Sequence, residues 1–233
     1  MHRRPLTTSR SRRVVRYAAI RARPICKVVT TIVLLVSGLA CNRNENTDGI
    51  GSGSGFLRHT HDGETEQARF DAERRPDKIV EALGIKPGSK VADIGAGSGL
   101  LTVHLARAVK PNGMVIATDI DEGVLELMQS RVQAAGLAAY VERKVVAADT
   151  PGLEKGEYDA ILLAEVDHYF DDPVAWLKAA ALALKPGARL VISNRIQYRS
   201  KSTAAARQAG LELIDESTPV PTHFIAVFVV ASK

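Results

Sequence analysis

The sequence predicts a doubly wound, mostly parallel α/β sheet, and two observations carry that prediction. Short apolar runs that end at acids alternate with stretches of helical apolar spacing. The first run, Val91-Ala92-Asp93-Ile94, enters a turn with glycines at 95, 97 and 99 and then the helical stretch Leu100–Arg107.

That turn narrows the chemistry. Glycine takes positive φ and lets backbone approach a ligand with no Cβ in the way. The helix that follows offers unpaired N–H groups and a partial positive charge, which suit an anion. A dinucleotide site wants Gly-x-Gly-x-x-Gly, but here the third glycine comes one residue early and Leu100 holds its place. Asp93 would repel a pyrophosphate and suits the cationic amino group and sulfonium of S-adenosylmethionine. The turn therefore favours that cofactor over NAD.

The remaining elements follow in order. Pro76-Asp77 opens a short helix through Leu83, with Gly84 as its C-cap. Met114–Thr118 reads as a buried parallel strand ending at Asp119. An acid about twenty residues past the glycine turn accepts hydrogen bonds from ribose hydroxyls. Val145–Ala148 reads as a third strand ending at Asp149, placed to accept from an adenine amino group. Tyr158–Ala164 is the fourth, ending at Glu165. Leu184–Ala188 closes a helix and turns into the fifth, Arg189–Ile192. Leu211–Ile214 and Phe224–Val230 complete the sheet. Helices are expected over about 99–110, 121–135, 173–184 and 201–209. Met128 and Trp176 read as core residues and not as cofactor contacts.

This pattern resembles the class I S-adenosylmethionine-dependent methyltransferases over roughly residues 64–230. The matching motifs are Val91–Gly99, Asp119, Ala148-Asp149, Asp159–Glu165 and Leu184–Gly187. The last usually carries two glycines, and Ala188 stands where the second would be. The resemblance implies a seven-stranded, Rossmann-like sheet whose last strand is antiparallel. It also implies cofactor contacts at Asp93, Gly95, Ala96, Gly97, Gly99, Asp119, Ile120, Asp149 and Glu165. The activity implied is methyl transfer to a small-molecule or protein acceptor. Two alternatives remain: an NAD-dependent oxidoreductase or epimerase, and a non-catalytic, membrane-tethered binding module on the same fold.

For catalysis the candidate segment is Glu165-Val166-Asp167-His168-Tyr169, just past the fourth strand. Imidazole suits proton removal near neutral pH, so His168 is the candidate base, with Asp167 orienting it. A pocket-lining role for His168 competes with that reading. Arg69 and Phe70 are candidates for a lid. His104 reads as packed or half-exposed, and His223 has no assigned role. His59, His61 and Asp62 form no complete ligand set, so no metal is expected.

Composition sets further bounds. The chain has 233 residues and a formal charge of +5. Nine of its 31 Lys and Arg lie in residues 1–27, leaving 22 against 26 acidic residues in the rest. Such a mildly acidic domain, with 5% aromatic residues, is a poor partner for nucleic acid. Residues 1–41 read as a basic signal or anchor segment. Its apolar run Val28–Ala40 is too short to span a bilayer comfortably and precedes Cys41, as in a lipidated bacterial lipoprotein. Residues 42–63 read as a flexible linker, and 64–233 as the methyltransferase domain. The expectation is a membrane-associated protein tethered through Cys41, with a cytoplasmic location as the alternative. The basic N-terminus would direct the domain across a membrane, away from the cytosolic supply of S-adenosylmethionine.

Overall fold

The computed structural model describes residues 55–231. The signal segment, Cys41 and the first part of the expected linker lie outside these residues. Helix α1 (Gly55–Arg74) occupies the end of the segment expected to be a tether. Helix α2 (Pro76–Leu83) follows, with proline in its first turn and Gly84 left-handed at its C-cap. Then come β1 (Lys90–Ile94), α3 (Thr102–Val109), β2 (Met114–Asp119), α4 (Glu122–Ala134), β3 (Val141–Val145) and β4 (Tyr158–Ala164). The chain ends with α5 (Pro173–Ala181), β5 (Leu184–Arg195), α6 (Arg199–Gln208), β6 (Leu211–Val220) and β7 (His223–Val230).

The strands form one seven-stranded sheet in the order β3-β2-β1-β4-β5-β7-β6. Strand β7 runs antiparallel to both neighbours, as expected. The chain moves outward from β1 to β3 and then returns to place β4 on the other side of β1. Ligands in open α/β sheets bind beyond the carboxyl ends of the strands at such a reversal.

Alternation along the strands supplies both faces. Val91, Val115, Ala160, Leu162 and Val191 pack with apolar residues of α2, α3 and α4. Ala92, Ile116, Ile161, Leu163 and Ile192 pack with Trp176 and Leu177 of α5 and Ala205 and Ala206 of α6. Met128 and Trp176 are both buried core residues. A fully buried side chain of this kind contributes about 1.5–3 kcal/mol.

Two strand starts differ from expectation, and β6 runs to Val220, past the expected end at Ile214. The third strand is Val141–Val145, not Val145–Ala148, because Val141 pairs with Val115 and Val145 with Asp119. It is an edge strand whose residues Glu142 and Arg143 face solvent, so its polar sequence hid it. The fifth strand starts at Leu184, within the expected turn. Leu184 pairs with Tyr158 before a register shift that brings Arg189 opposite Ala160.

Among the described residues, no helix is long and apolar enough to cross a membrane.

Candidate active site

The loops after β1 and β4 meet at the sheet reversal. Gly95 (φ 66) has no room for a side chain, since a Cβ there would sit 2.8 Å from Val166 Cγ2. Gly99 (φ 85) is equally constrained, because its Cβ would fall 2.6 Å from Cγ of Met128 on α4. At Gly97 (φ 56) a Cβ would meet nothing within 4 Å, so the middle of the turn faces open space. Gly99→Val is expected to destabilise the fold by about 3 kcal/mol, from overpacking and a strained φ. A urea unfolding midpoint within error of the parent would show that α4 gives way.

Asp119 ends β2 beside this turn. Its Oδ2 accepts from Gly97 N at 3.0 Å, and its Oδ1 from Asp121 N at 3.1 Å. An ionised carboxylate has about four lone-pair directions, so two remain for a diol. Ala96 N donates to Thr118 O at 2.9 Å, which fixes the turn against β2. Ile120, next in sequence, is 65% exposed. Asp149 is exposed in the loop beyond β3. Arg131 of α4 donates through Nε to Ser98 O at 2.8 Å and so holds the far side of the turn.

Asp93 differs from its expected place. It lies beneath the turn, 2% exposed, where Thr102 Oγ1 donates to it at 2.7 Å. Burial pushes its carboxyl up to about 6, against the Thr102 hydrogen bond, with the negative charge of Asp119 adding to the rise. Its influence on a ligand would pass through the turn and not through direct exposure.

Glu165 occupies a left-handed conformation (φ 54), which is rare for a residue other than glycine. Its Oε1 meets Arg74 Nη1 at 3.1 Å, Arg195 Nε at 3.4 Å and His223 Nε2 at 2.5 Å. Burial raises its pKa, but the His223 hydrogen bond and the three neighbouring charges hold it below the ordinary glutamate value. This side chain, expected to contact the cofactor, is engaged with cations.

His168 lies in a short 3-10 turn, Asp167–Tyr169, and its ring stacks on Tyr198 at 4.3 Å. Its Nδ1 lies 3.0 Å from Asn194 Nδ2. The orientation of that amide is fixed: Oδ1 accepts from Arg195 N at 2.7 Å, and Nδ2 donates to Asp167 Oδ1 at 2.7 Å. An amide nitrogen only donates, so Nδ1 of His168 accepts and the neutral ring carries its proton on Nε2. That tautomer makes Nε2 a donor, which is an obstacle to the base role expected for His168. Asp167 is 5% exposed and also accepts from Ser202 Oγ. Its link to His168 runs through Asn194, a residue that sequence reasoning missed. An amide at the carboxyl end of a central strand was the available signal.

Helix α1 runs over this edge on polar contacts. Glu66 pairs with Arg131 at 2.5 Å, Gln67 donates to Leu100 O at 3.1 Å, and Asp71 meets His104 at 2.8 Å. Phe70 packs against the core, whereas Arg69 is exposed and pairs with Glu73. Only Phe70 of the two expected lid residues is turned inward. Among the described residues no cluster of His, Cys, Asp and Glu could hold a metal ion.

Residues 92–190 match a family model described as a methyltransferase domain. The match implies S-adenosylmethionine as the cofactor. Neither the oxidoreductase nor the non-catalytic alternative is favoured by this match. A ubiquinone biosynthesis O-methyltransferase of Xanthomonas campestris is 29% identical over 160 residues, covering 68% of this chain and 64% of its own. A ubiquinone/menaquinone biosynthesis C-methyltransferase of Ectopseudomonas mendocina is 31% identical, covering 48% and 44%. The chain thus spans less than two thirds of the length of these curated relatives. An S-adenosylmethionine-dependent methyltransferase from Aquifex aeolicus shares the fold with a TM-score of 0.66 at 20% identity, over 73% of this chain and 98% of its own.

The residues present fit the implied cofactor. The open face at Gly97, the spare lone pairs of Asp119 and the exposed Ile120 suit a carboxylate, a ribose diol and an adenine in turn.

Proposed function

We propose that this protein transfers a methyl group from S-adenosylmethionine to a small-molecule acceptor held over the carboxyl ends of β4 and β5. The observation that carries this reading is the carboxylate of Asp119 bonded to the open glycine turn at the sheet reversal. Two relatives named for quinone biosynthesis support a small-molecule acceptor.

The bound cofactor supplies an electrophilic methyl group on a sulfonium. The glycine turn at Gly95–Gly99 would seat the carboxylate of the cofactor against its open Gly97 face. Asp119 grips the ribose, and Ile120 and Asp149 flank the adenine. The main chain at Glu165 borders the methyl donor. His168, held by Asn194 and stacked on Tyr198, donates through Nε2 and aligns the acceptor with the methyl group. Asp167 is a positioning residue, since it fixes Asn194.

The test incubates the purified full chain with methyl-labelled cofactor and a cell extract, then separates small molecules from protein. Label in the small-molecule fraction is expected, and label confined to protein would reject the acceptor class. With the labelled acceptor in hand, His168→Ala is expected to lower turnover about tenfold, the effect of losing one aligning hydrogen bond. His168→Gln, which keeps a donor, should recover most of it. An equal loss in both variants, with a pH profile flattened by each, would restore the base role.

A further inference from the structure

The cationic cluster around Glu165 holds more positive charge than its one carboxylate offsets. Two guanidiniums and an imidazole converge on Oε1 alone. Arg74 is only 11% exposed on its side chain, and its buried Nε has no hydrogen-bond partner. His223 already uses Nδ1 on Thr222 Oγ1 at 2.8 Å, which leaves Nε2 for Glu165. Arg195 is different, since its side chain is 62% exposed and it spends Nε on a long contact of 3.4 Å.

The surroundings do not neutralise this excess. Among the described residues, Glu165 is the one carboxylate in ion-pair contact with Arg74, Arg195 and His223. The chain after residue 27 carries 22 basic against 26 acidic residues, so the cluster is not a sample of a basic surface. Its position is also specific. Glu165 precedes Val166, which closes against Gly95, and Arg195 follows Asn194, which holds His168. The cluster therefore sits at the carboxyl ends of β4 and β5.

We propose that Arg195, backed by Arg74 and His223, forms an anion subsite at the ends of β4 and β5, and that the methyl acceptor bears a carboxylate seated there. The cradle already holds one carboxylate, that of Glu165, and the outer edge of a guanidinium takes a second in a forked, charge-assisted pair. Glu165 then sets the strength of the subsite by competing for the same cations. This assignment rests on the methyltransferase reading and names the class of its acceptor.

The experiment titrates benzoate, and benzamide as its neutral isostere, into the full chain saturated with S-adenosylhomocysteine, by calorimetry. Benzoate is expected to bind about tenfold more tightly than benzamide, as a charge-assisted pair implies. Arg195→Gln should erase that preference, and Glu165→Gln should strengthen benzoate binding about threefold by removing the competing carboxylate. Equal binding of the two probes, or a preference that survives Arg195→Gln, would overturn the subsite. S-adenosylhomocysteine affinity is measured in the same preparations and should change less than about twofold in Arg195→Gln. Intact cofactor-product binding without a benzoate preference rejects the subsite alone. Failure of S-adenosylhomocysteine to bind the parent protein rejects the methyltransferase reading, and the acceptor assignment falls with it.

Discussion

Asp119→Ala is expected to weaken S-adenosylhomocysteine binding about a hundredfold, the equivalent of about 3 kcal/mol. The magnitude follows from two hydrogen bonds to an ionised carboxylate, each worth about 1.5–3 kcal/mol when left unmade. Asp119 also accepts from Gly97 and Asp121, so the substitution loosens the turn as well as removing the ribose partner. Asp119→Asn separates the two effects. Its amide oxygen still accepts from one of those N–H groups, but it loses the charge and half of the acceptor capacity. A graded series, with Asn between the parent and Ala in calorimetric affinity, is the expected result. Binding in Asp119→Ala within about threefold of the parent would exclude a ribose contact, whatever the thermal stability of the variant.

Much of the site was legible because its determinants are local. Three glycines between a strand and a helix announce a backbone that must turn left-handed, and Gly95, Gly97 and Gly99 all do so. Asp119 was legible for a similar reason, since Met114–Thr118 is apolar on both faces and can only be a central strand. The third strand was misplaced because an edge strand exposes one side. Glu142 and Arg143 carry no apolar signal, and the apolar pair Val145-Val146 drew the prediction past the true pairing. The Glu165 cluster was not legible at all. Arg74, Arg195 and His223 come from α1, β5 and β7, elements far apart in the chain, and only the sheet order brings them to one carboxylate. His168 falls between these cases. Its place after β4 was readable, but its tautomer is set by the amide of Asn194, which is a product of tertiary structure.

A second large effect is expected at Asp93, with opposite signs for stability and binding. Its carboxyl is buried, and its pKa stands at about 6 against 3.8 for the free side chain. The folded state therefore holds this proton more tightly than the unfolded chain does. Below a pH of about 4 both states are protonated, and Asp93 sets no difference between them. As pH rises from about 4 to about 6 the unfolded chain ionises first, so stability falls, and the loss is complete above about 6. The gap corresponds to about 3 kcal/mol. Asp93→Asn removes the ionisable group but keeps an oxygen for Thr102, whose hydroxyl donates at 2.7 Å. The variant should melt about 8 °C above the parent at a pH of about 8 and match it at a pH of about 3.5. S-adenosylhomocysteine affinity should move the other way, because a buried negative charge under the glycine turn offsets the ammonium of the ligand. A protein that keeps a destabilising acid in its first strand is explained by that trade. Equal melting of parent and variant at the higher pH would mean that Asp93 stays protonated or solvated there. The account of its charge would then be wrong.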